Sequence, residues 1–165
     1  MNAPAEPPAP VSPVVFEAEF VSGLKKIFEE MISFNRVLGL EITAIGPSLA
    51  CARIQMKPDL VGHFAYNRIH GGVISAVLDA MGSAAVMAAL AAKHMEEAPA
   101  KRLECFAKLG TIDLRVDYLR PGIGEYFDIH AHCLRVGSRV GSSRMEFMGP
   151  DGTLMSTGAA AYIVS

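Results

Sequence analysis

The sequence predicts an α+β fold in which a curved antiparallel sheet wraps around one long central helix. Residues 71–95 carry apolar side chains on nearly every side of a helical cylinder, as a fully buried helix does. The flanking segments read as strands, two before the helix and four after it. Because only a curved sheet could cover such a helix, we expect one domain over residues 35–165, preceded by an extra N-terminal helix.

Composition narrows the functional classes. Apolar residues make up 51% and charged residues 19% of the chain, which is low in charge for a small monomer and favours a homo-oligomer. A net charge of −2 offers no basic stripe for nucleic acid. Three widely spaced cysteines predict neither disulfides nor a zinc site and indicate a reduced, cytoplasmic protein.

The N-terminal region divides into a tail and a helix. Residues 1–13 are rich in Pro and Ala and lack the basic and apolar regions of a signal peptide. Ser12-Pro13 resembles a helix start, so residues 14–34 are predicted as an amphipathic helix. Its apolar residues recur at helical spacing: Phe16, Phe20, Leu24, Ile27, Phe28 and Met31.

The strands are bounded by turn residues. Residues 40–46 and 49–56 form a predicted hairpin around Pro47-Ser48, and a long loop spans 57–70. Residues 111–119 alternate, with Thr111 and Asp113 on the face opposite Ile112. Three more strands follow, and we expect all four to form an antiparallel meander; their ranges are 126–136, 139–148 and 153–164.

The apolar run at 71–95 is long enough to cross a membrane, but we expect a core helix instead. Asp79 would cost about 3 kcal/mol in a bilayer, and Gly71, Gly72 and Gly82 interrupt the run. Strand patterns on both sides provide a sheet in which the helix can be buried. A carboxylate on such a helix is costly unless it is partnered or used, so Asp79 is either a structural ion partner or a catalytic group.

Two motifs carry a family resemblance. His70–Asp79 reads HGGVISAVLD, and Gly110–Gly122 reads GTIDLRVDYLRPG. In this order they resemble PaaI-type acyl-CoA thioesterases of the hydroxybenzoyl-CoA thioesterase superfamily, and especially the YigI-like medium- and long-chain branch. The resemblance covers roughly residues 35–164. It implies the hotdog fold, hydrolysis of acyl-CoA to free acid and CoA without a cofactor, and a dimer or dimer of dimers with active sites at the dimer interface.

Thioester hydrolysis requires an activated water or nucleophile, a donor to the oxyanion and a cleft for the acyl chain. Asp79 is the candidate for the first, either activating water or attacking directly. The resemblance makes the Gly71 backbone N–H the oxyanion donor, with His70 and Gly72 completing the loop and His70 orienting it. It also implies that Thr111, contributed by the partner subunit, helps to hold the water near Asp79.

One position departs from the family pattern. Many relatives place Asn or Gln six residues before the His of the HGG motif, where this chain has Phe64. Asn67 or His63 could supply the missing polar contact.

The CoA phosphates suit the planar fork of arginine, and we expect Arg120-Pro121-Gly122 and Arg139 to bind them. His130 and His132 share one face of a strand, but the sequence offers no third ligand, so no metal is predicted.

Two other functions remain possible from the residues. Gly62-His63-Phe64 followed by an acid on the helix resembles the loop of a hotdog dehydratase or enoyl-CoA hydratase. However, this loop is not proline-rich and the helix acid is Asp rather than Glu. A non-catalytic acyl-CoA sensor could lose the acid and would usually carry a DNA-binding extension. Because this chain keeps Asp79 and its N-terminal helix lacks a helix-turn-helix partner, we favour the thioesterase.

Overall fold

The computed structural model describes residues 14–165. The Pro/Ala-rich tail and the Ser12-Pro13 helix start lie outside the described residues.

The N-terminal helical region is broken into three parts. α1 spans Ala18–Lys25, a π-helical turn spans Lys26–Met31, and α2 spans Ser33–Leu38. The helix begins at Ala18 rather than at residue 14, because Glu17 is extended. The side chains that α1 and the π-helical turn bury in the core recur every four residues: Phe20, Leu24 and Phe28. This spacing is why one face of the region packs onto the domain.

The first strands form the predicted hairpin. β1 spans Glu41–Gly46 and pairs antiparallel with β2, Leu49–Gln55. The segment predicted as a loop contains a small two-stranded sheet formed by β3, Val61–His63, and β4, Arg68–Ile69. This small sheet leads directly into the long helix.

That helix, α3, spans Gly71–Ala91 and packs against β2 and against three strands later in the chain. It is long and apolar enough to cross a membrane, yet most of it is buried inside the domain, so it is the core helix. One stripe is only half covered by the sheet: Ala76, Asp79, Ala80 and Ser83. After α3, the connection contains α4, Pro99–Leu103, and a 3-10 segment, Glu104–Lys108.

The four later strands are β5, Gly110–Tyr118; β6, Tyr126–Val136; β7, Val140–Met148; and β8, Leu154–Ile163. They do not form a four-strand meander. The sheet order is β1-β2-β6-β7-β8-β5, so β6 pairs with β2, and β5 pairs with β8 at the edge of the sheet. Alternation fixes the face of each residue but not the neighbour of each strand, which is why the sequence misled here.

A bulge in β5 corrects a second prediction. Thr111 pairs with Tyr162 and Asp113 pairs with Ala161, so Ile112 is an extra residue in β5. Ile112 is 57% exposed, whereas Thr111 turns towards α3. The bulge therefore puts Thr111 on the helix side of the sheet, opposite to what strict alternation predicts.

Candidate active site

A cavity of about 330 Å³ opens beside the half-covered stripe of α3. We call it the Asp79 cavity. Its walls come from α3, from the start of β5, from the N-terminal helical region and from the 3-10 segment after α4. The main lining residues are Asp79, Thr111, Ala80, Ser83, Phe28, Asn35 and Phe106. The cavity thus joins one carboxylate to a largely apolar chamber, the arrangement expected of a ligand pocket.

Asp79 and Thr111 form the polar part of this cavity. Thr111 Oγ1 donates to the carboxylate, lying 2.9 Å from Asp79 Oδ1 and 3.1 Å from Oδ2. Both residues belong to the same chain, so the expectation that Thr111 faces the partner's Asp79 is wrong. The β5 bulge is the physical reason, because it turns Thr111 towards its own helix. The pair can accept a hydrogen bond from water, since a carboxylate has lone pairs beyond those that Thr111 uses.

Tyr162 holds the helix backbone at this point. Its hydroxyl donates to the Asp79 carbonyl oxygen at 3.0 Å. Burial, and then the nearby Asp79 charge, raise the pKa of Tyr162 well above its usual value. The phenol therefore stays protonated and remains a donor, and it fixes the position from which Asp79 enters the cavity.

The loop before α3 is organised around the Gly71 N–H. His70 is the N-cap of α3, and its Nδ1 accepts a hydrogen bond from the Gly72 N–H at 2.8 Å. The Tyr118 hydroxyl donates to the Gly71 carbonyl oxygen at 2.9 Å. Among the described residues no acceptor is paired with the Gly71 N–H. This N–H stands at the positive end of a 21-residue helix and is available to a developing oxyanion.

A glycine in the preceding strand permits this loop to pack closely. A Cβ on Gly62 would lie only 2.6 Å from the Cα of His70. Only glycine allows the two backbones to approach so closely, so Gly62 helps to set the position of the HGG motif.

The carboxylate and the N–H lie far apart within one chain. Gly71 and Asp79 are eight residues apart on α3, which corresponds to about 12 Å along the helix axis. Oxyanion donors must lie about 3 Å from the oxygen that they stabilise. The Asp79 carboxylate therefore does not directly contact an oxygen held by the Gly71 N–H of the same chain.

The structure does not bring His63 or Asn67 to Asp79 within a chain. His63 is exposed; its ring stacks on Phe64 at a centroid distance of 5.9 Å and lies tilted against Tyr66 at 4.9 Å. Asn67 adopts a left-handed conformation with φ of 46° in the same exposed loop. Neither lines the Asp79 cavity, where Asn35 is the amide side chain instead. Asn35 comes from α2, beyond the predicted end of the helix at residue 34, and no sequence pattern signalled this location.

The arginines predicted to bind CoA divide between two places. Arg120 and Gly122 line a second cavity of about 330 Å³ with Gly71 and Tyr118, which we call the Gly71 pocket. The Gly122 carbonyl accepts from the Ile69 N–H at 2.9 Å, while Pro121 accepts from the Ile123 N–H at 3.1 Å, so both steady this loop. Arg139 instead lies near the β6–β7 turn, in a separate pocket with Arg135.

Sequence reasoning missed one cation in the Gly71 pocket. Arg68 lines it together with Arg120, and the buried Nε of Arg68 has no partner among the described residues. Arg68 belongs to the short strand β4, in a segment without a clear period, which is why only the folded structure reveals it. His130 and His132 lie opposite Glu146 and Arg144 in the sheet.

Comparisons with known proteins agree with this geometry. Residues 66–156 match the family model described as "Thioesterase superfamily". The medium/long-chain acyl-CoA thioesterase YigI of Salmonella typhimurium is 33% identical over 84% of this chain and 90% of its own length, and that of Escherichia coli K12 is 32% identical over the same shares. A crystal structure from Shewanella oneidensis, described as related to the thioesterase superfamily, is 35% identical with a TM-score of 0.84, covering 90% of this chain and 97% of that one. The predicted hotdog fold and thioesterase assignment are confirmed, and the chain belongs to the thioesterase superfamily.

Proposed function

We propose that this protein hydrolyses acyl-CoA thioesters to a free acid and CoA. The observation that most directly supports this proposal is the Asp79–Thr111 pair, which opens onto an apolar cavity of a size suited to an acyl chain. The relatives named as medium/long-chain acyl-CoA thioesterases support the same substrate class.

We infer that a complete site is formed by two copies of the chain. β5 is an edge strand, and its exposed apolar side chains include Ile112 and Tyr118. If two β5 edges pair antiparallel about their middle, Thr111 of one copy comes beside Tyr118 of the other. Thr111 is hydrogen-bonded to Asp79, and Tyr118 is hydrogen-bonded to the Gly71 carbonyl. The Asp79 carboxylate of each copy then faces the partner's Gly71 N–H. Two equivalent sites result, as the two-fold symmetry of a dimer requires.

Asp79 acts as a general base in this arrangement. The Thr111 hydroxyl engages both carboxylate oxygens, which weakens them as nucleophiles but leaves lone pairs to accept from water. Asp79 takes a proton from this water, and the resulting hydroxide attacks the thioester carbonyl carbon. The carbonyl oxygen becomes an oxyanion held by the partner's Gly71 N–H. When the C–S bond breaks, the proton passes to the leaving sulfur, giving CoA thiol and the free acid.

The CoA portion lies along the Gly71 pocket. Arg68 and Arg120 line it, and a guanidinium donates paired hydrogen bonds to phosphate oxygens. The Arg120 Nη1 also donates to the Leu154 carbonyl at 2.8 Å, which orients this side chain. Arg139 lies in its separate pocket with Arg135 and does not line the Gly71 pocket. Free Cys51, Cys105 and Cys133 suit a reducing compartment such as the cytoplasm.

A thiol-release assay tests the proposal. Wild type and Asp79→Asn are compared on saturated acyl-CoAs from acetyl to palmitoyl and on benzoyl-CoA, with circular dichroism as a control for folding. We expect the substitution to lower kcat by about 10²–10⁴-fold, the usual contribution of a general base. Absence of release by the wild-type protein from every substrate would overturn the proposal. Hydration of an enoyl-CoA instead would identify the hydratase, and tight binding without turnover would identify the sensor.

A further inference from the structure

We propose that Phe28 and Phe106 form the closed end of the Asp79 cavity and set the length of the acyl chain that is hydrolysed. This inference rests on the proposed thioesterase function and adds its specificity-determining residues. Neither aromatic residue belongs to the HGG or β5 motifs. They come from the π-helical turn and from the 3-10 segment after α4.

The direction of the cavity follows from exposure. Phe34 is 59% exposed and stands at the rim. Phe28 is 1% exposed and Asn35 is 4% exposed, so the cavity extends inward beneath the N-terminal helical region. The rings of Phe28 and Phe106 meet edge to face, with centroids 5.7 Å apart and planes at 73°. An acyl chain that runs inward from Asp79 would therefore end against these two rings.

The Phe28 side of this end is held firmly. The Asn35 Nδ2 donates to the Phe28 carbonyl oxygen at 3.0 Å, which ties the π-helical turn to α2. Glu29 Oε1 accepts from the Ile42 N–H at 2.7 Å, which ties the same turn to β1. Because the Phe28 backbone and the adjacent Glu29 are both held and the Phe28 ring is 1% exposed, the ring is a wall rather than a movable flap. Asn35 is accordingly a positioning residue for Phe28.

The opposite wall of the cavity is formed by small side chains. Ala76, Ala80 and Ser83 of α3 line the cavity, which leaves room for a chain beside Asp79. Ala84 does not line it, although it follows Ser83 directly, because it is fully buried on another face of α3. With about 30 Å³ as the liquid volume of one water-sized group, 330 Å³ corresponds to on the order of ten such groups. The cavity thus suits medium acyl chains better than long ones.

Three variants test this wall. Phe106→Ala opens the end at a half-buried position, and Phe28→Leu shortens the ring from the other side. Ser83→Leu works in the opposite direction, since it fills the chamber. Phe147→Leu is the matched control, because Phe147 is fully buried against Phe127 with centroids 4.9 Å apart and does not line the cavity.

The readout is the ratio of kcat/KM between palmitoyl-CoA and octanoyl-CoA, measured within each variant so that the amount of folded protein cancels. Each buried methylene changes kcat/KM by about fourfold. We expect Phe106→Ala and Phe28→Leu to raise the ratio, the former by about tenfold or more, and Ser83→Leu to lower it. Phe147→Leu should lower thermal stability without moving the ratio.

The outcomes separate this inference from the proposed function. Thiol release with a ratio that neither aromatic substitution moves would overturn the role of Phe28 and Phe106 but leave the thioesterase intact. An equal shift in Phe147→Leu would show a general effect of loosening the core, and would overturn it as well. No release from any acyl-CoA by the wild-type protein would overturn the proposed function itself.

Discussion

Replacing Gly71 by Pro should remove one hydrogen-bond donor and leave the helix in place. Gly71 is the first residue of α3, where the N–H has no partner within the helix and where proline is well accepted. His70 has φ of −69° and ψ of 135°, a conformation favoured by residues that precede proline. The substitution therefore tests the proposed oxyanion donor without breaking the element that carries it.

The matched control is Gly71→Ala, which keeps the N–H. A Cβ at this position lies 3.3 Å from Tyr118 Cε1, so the ring must move by a few tenths of an ångström in both variants. The difference between Pro and Ala thus isolates the donor. Loss of one oxyanion donor lowers kcat by about 10²–10³-fold, or about 3–4 kcal/mol. We expect this loss in kcat, with KM changed little, because the hydrogen bond strengthens only as charge develops.

Steady-state thiol release on octanoyl-CoA measures both variants, with melting temperature and oligomeric state as controls. Equal kcat for Gly71→Pro and Gly71→Ala, with both proteins folded and assembled as the wild type is, would refute the oxyanion assignment. A loss confined to KM would show that the loop binds substrate without stabilising the transition state.

Three further predictions follow from the same geometry. Thr111→Val should lower kcat by about 10- to 100-fold through loss of a hydrogen bond to a charged group, while Thr111→Ser should retain most activity; equal losses would argue against the hydroxyl. Equimolar refolded mixtures of Gly71→Pro and Asp79→Asn chains should recover about a quarter of wild-type activity, because mixed dimers contain one intact site; no recovery would contradict a site shared between chains. Burial raises the pKa of Cys105 to about 11. The rate of its labelling by iodoacetamide, followed by mass spectrometry, should therefore increase about tenfold for each unit by which the pH rises towards 11; fast labelling at pH 7 would contradict this prediction.

The parts of the fold that follow from local pattern were predictable. A helix that is apolar on all sides must be covered, and α3 is covered by the sheet around it. The glycines at its start and the carboxylate two turns later lie where the motif places them, at the N-terminus and on the half-covered stripe of α3. Such features depend on residues that are near one another in sequence, and hence they can be predicted without the structure.

The parts that depend on pairing were not predictable. A bulge at Ile112 shifts register by one residue and turns Thr111 towards the helix, a change that alternation alone cannot show. The place of β5 beside β8 is likewise a tertiary property. Phe28 looked like an ordinary member of an amphipathic helix, and Asn35 lay just beyond the predicted end of that helix, yet a π-helical turn and a break at Ile32 bring both to the Asp79 cavity.

The edge position of β5 links assembly to chemistry. Near its start the helix-facing Thr111 binds Asp79, and at its end Tyr118 binds the Gly71 carbonyl, so one strand positions both halves of the proposed site. Because Gly71 and Asp79 lie about 12 Å apart along the axis of α3, we expect a lone chain to hold two half-sites. Antiparallel pairing of the same strand would satisfy its free backbone groups and join the halves at once. On this reasoning, a change that blocks the β5 edge removes activity even when Asp79, Thr111 and the Gly71 loop are untouched.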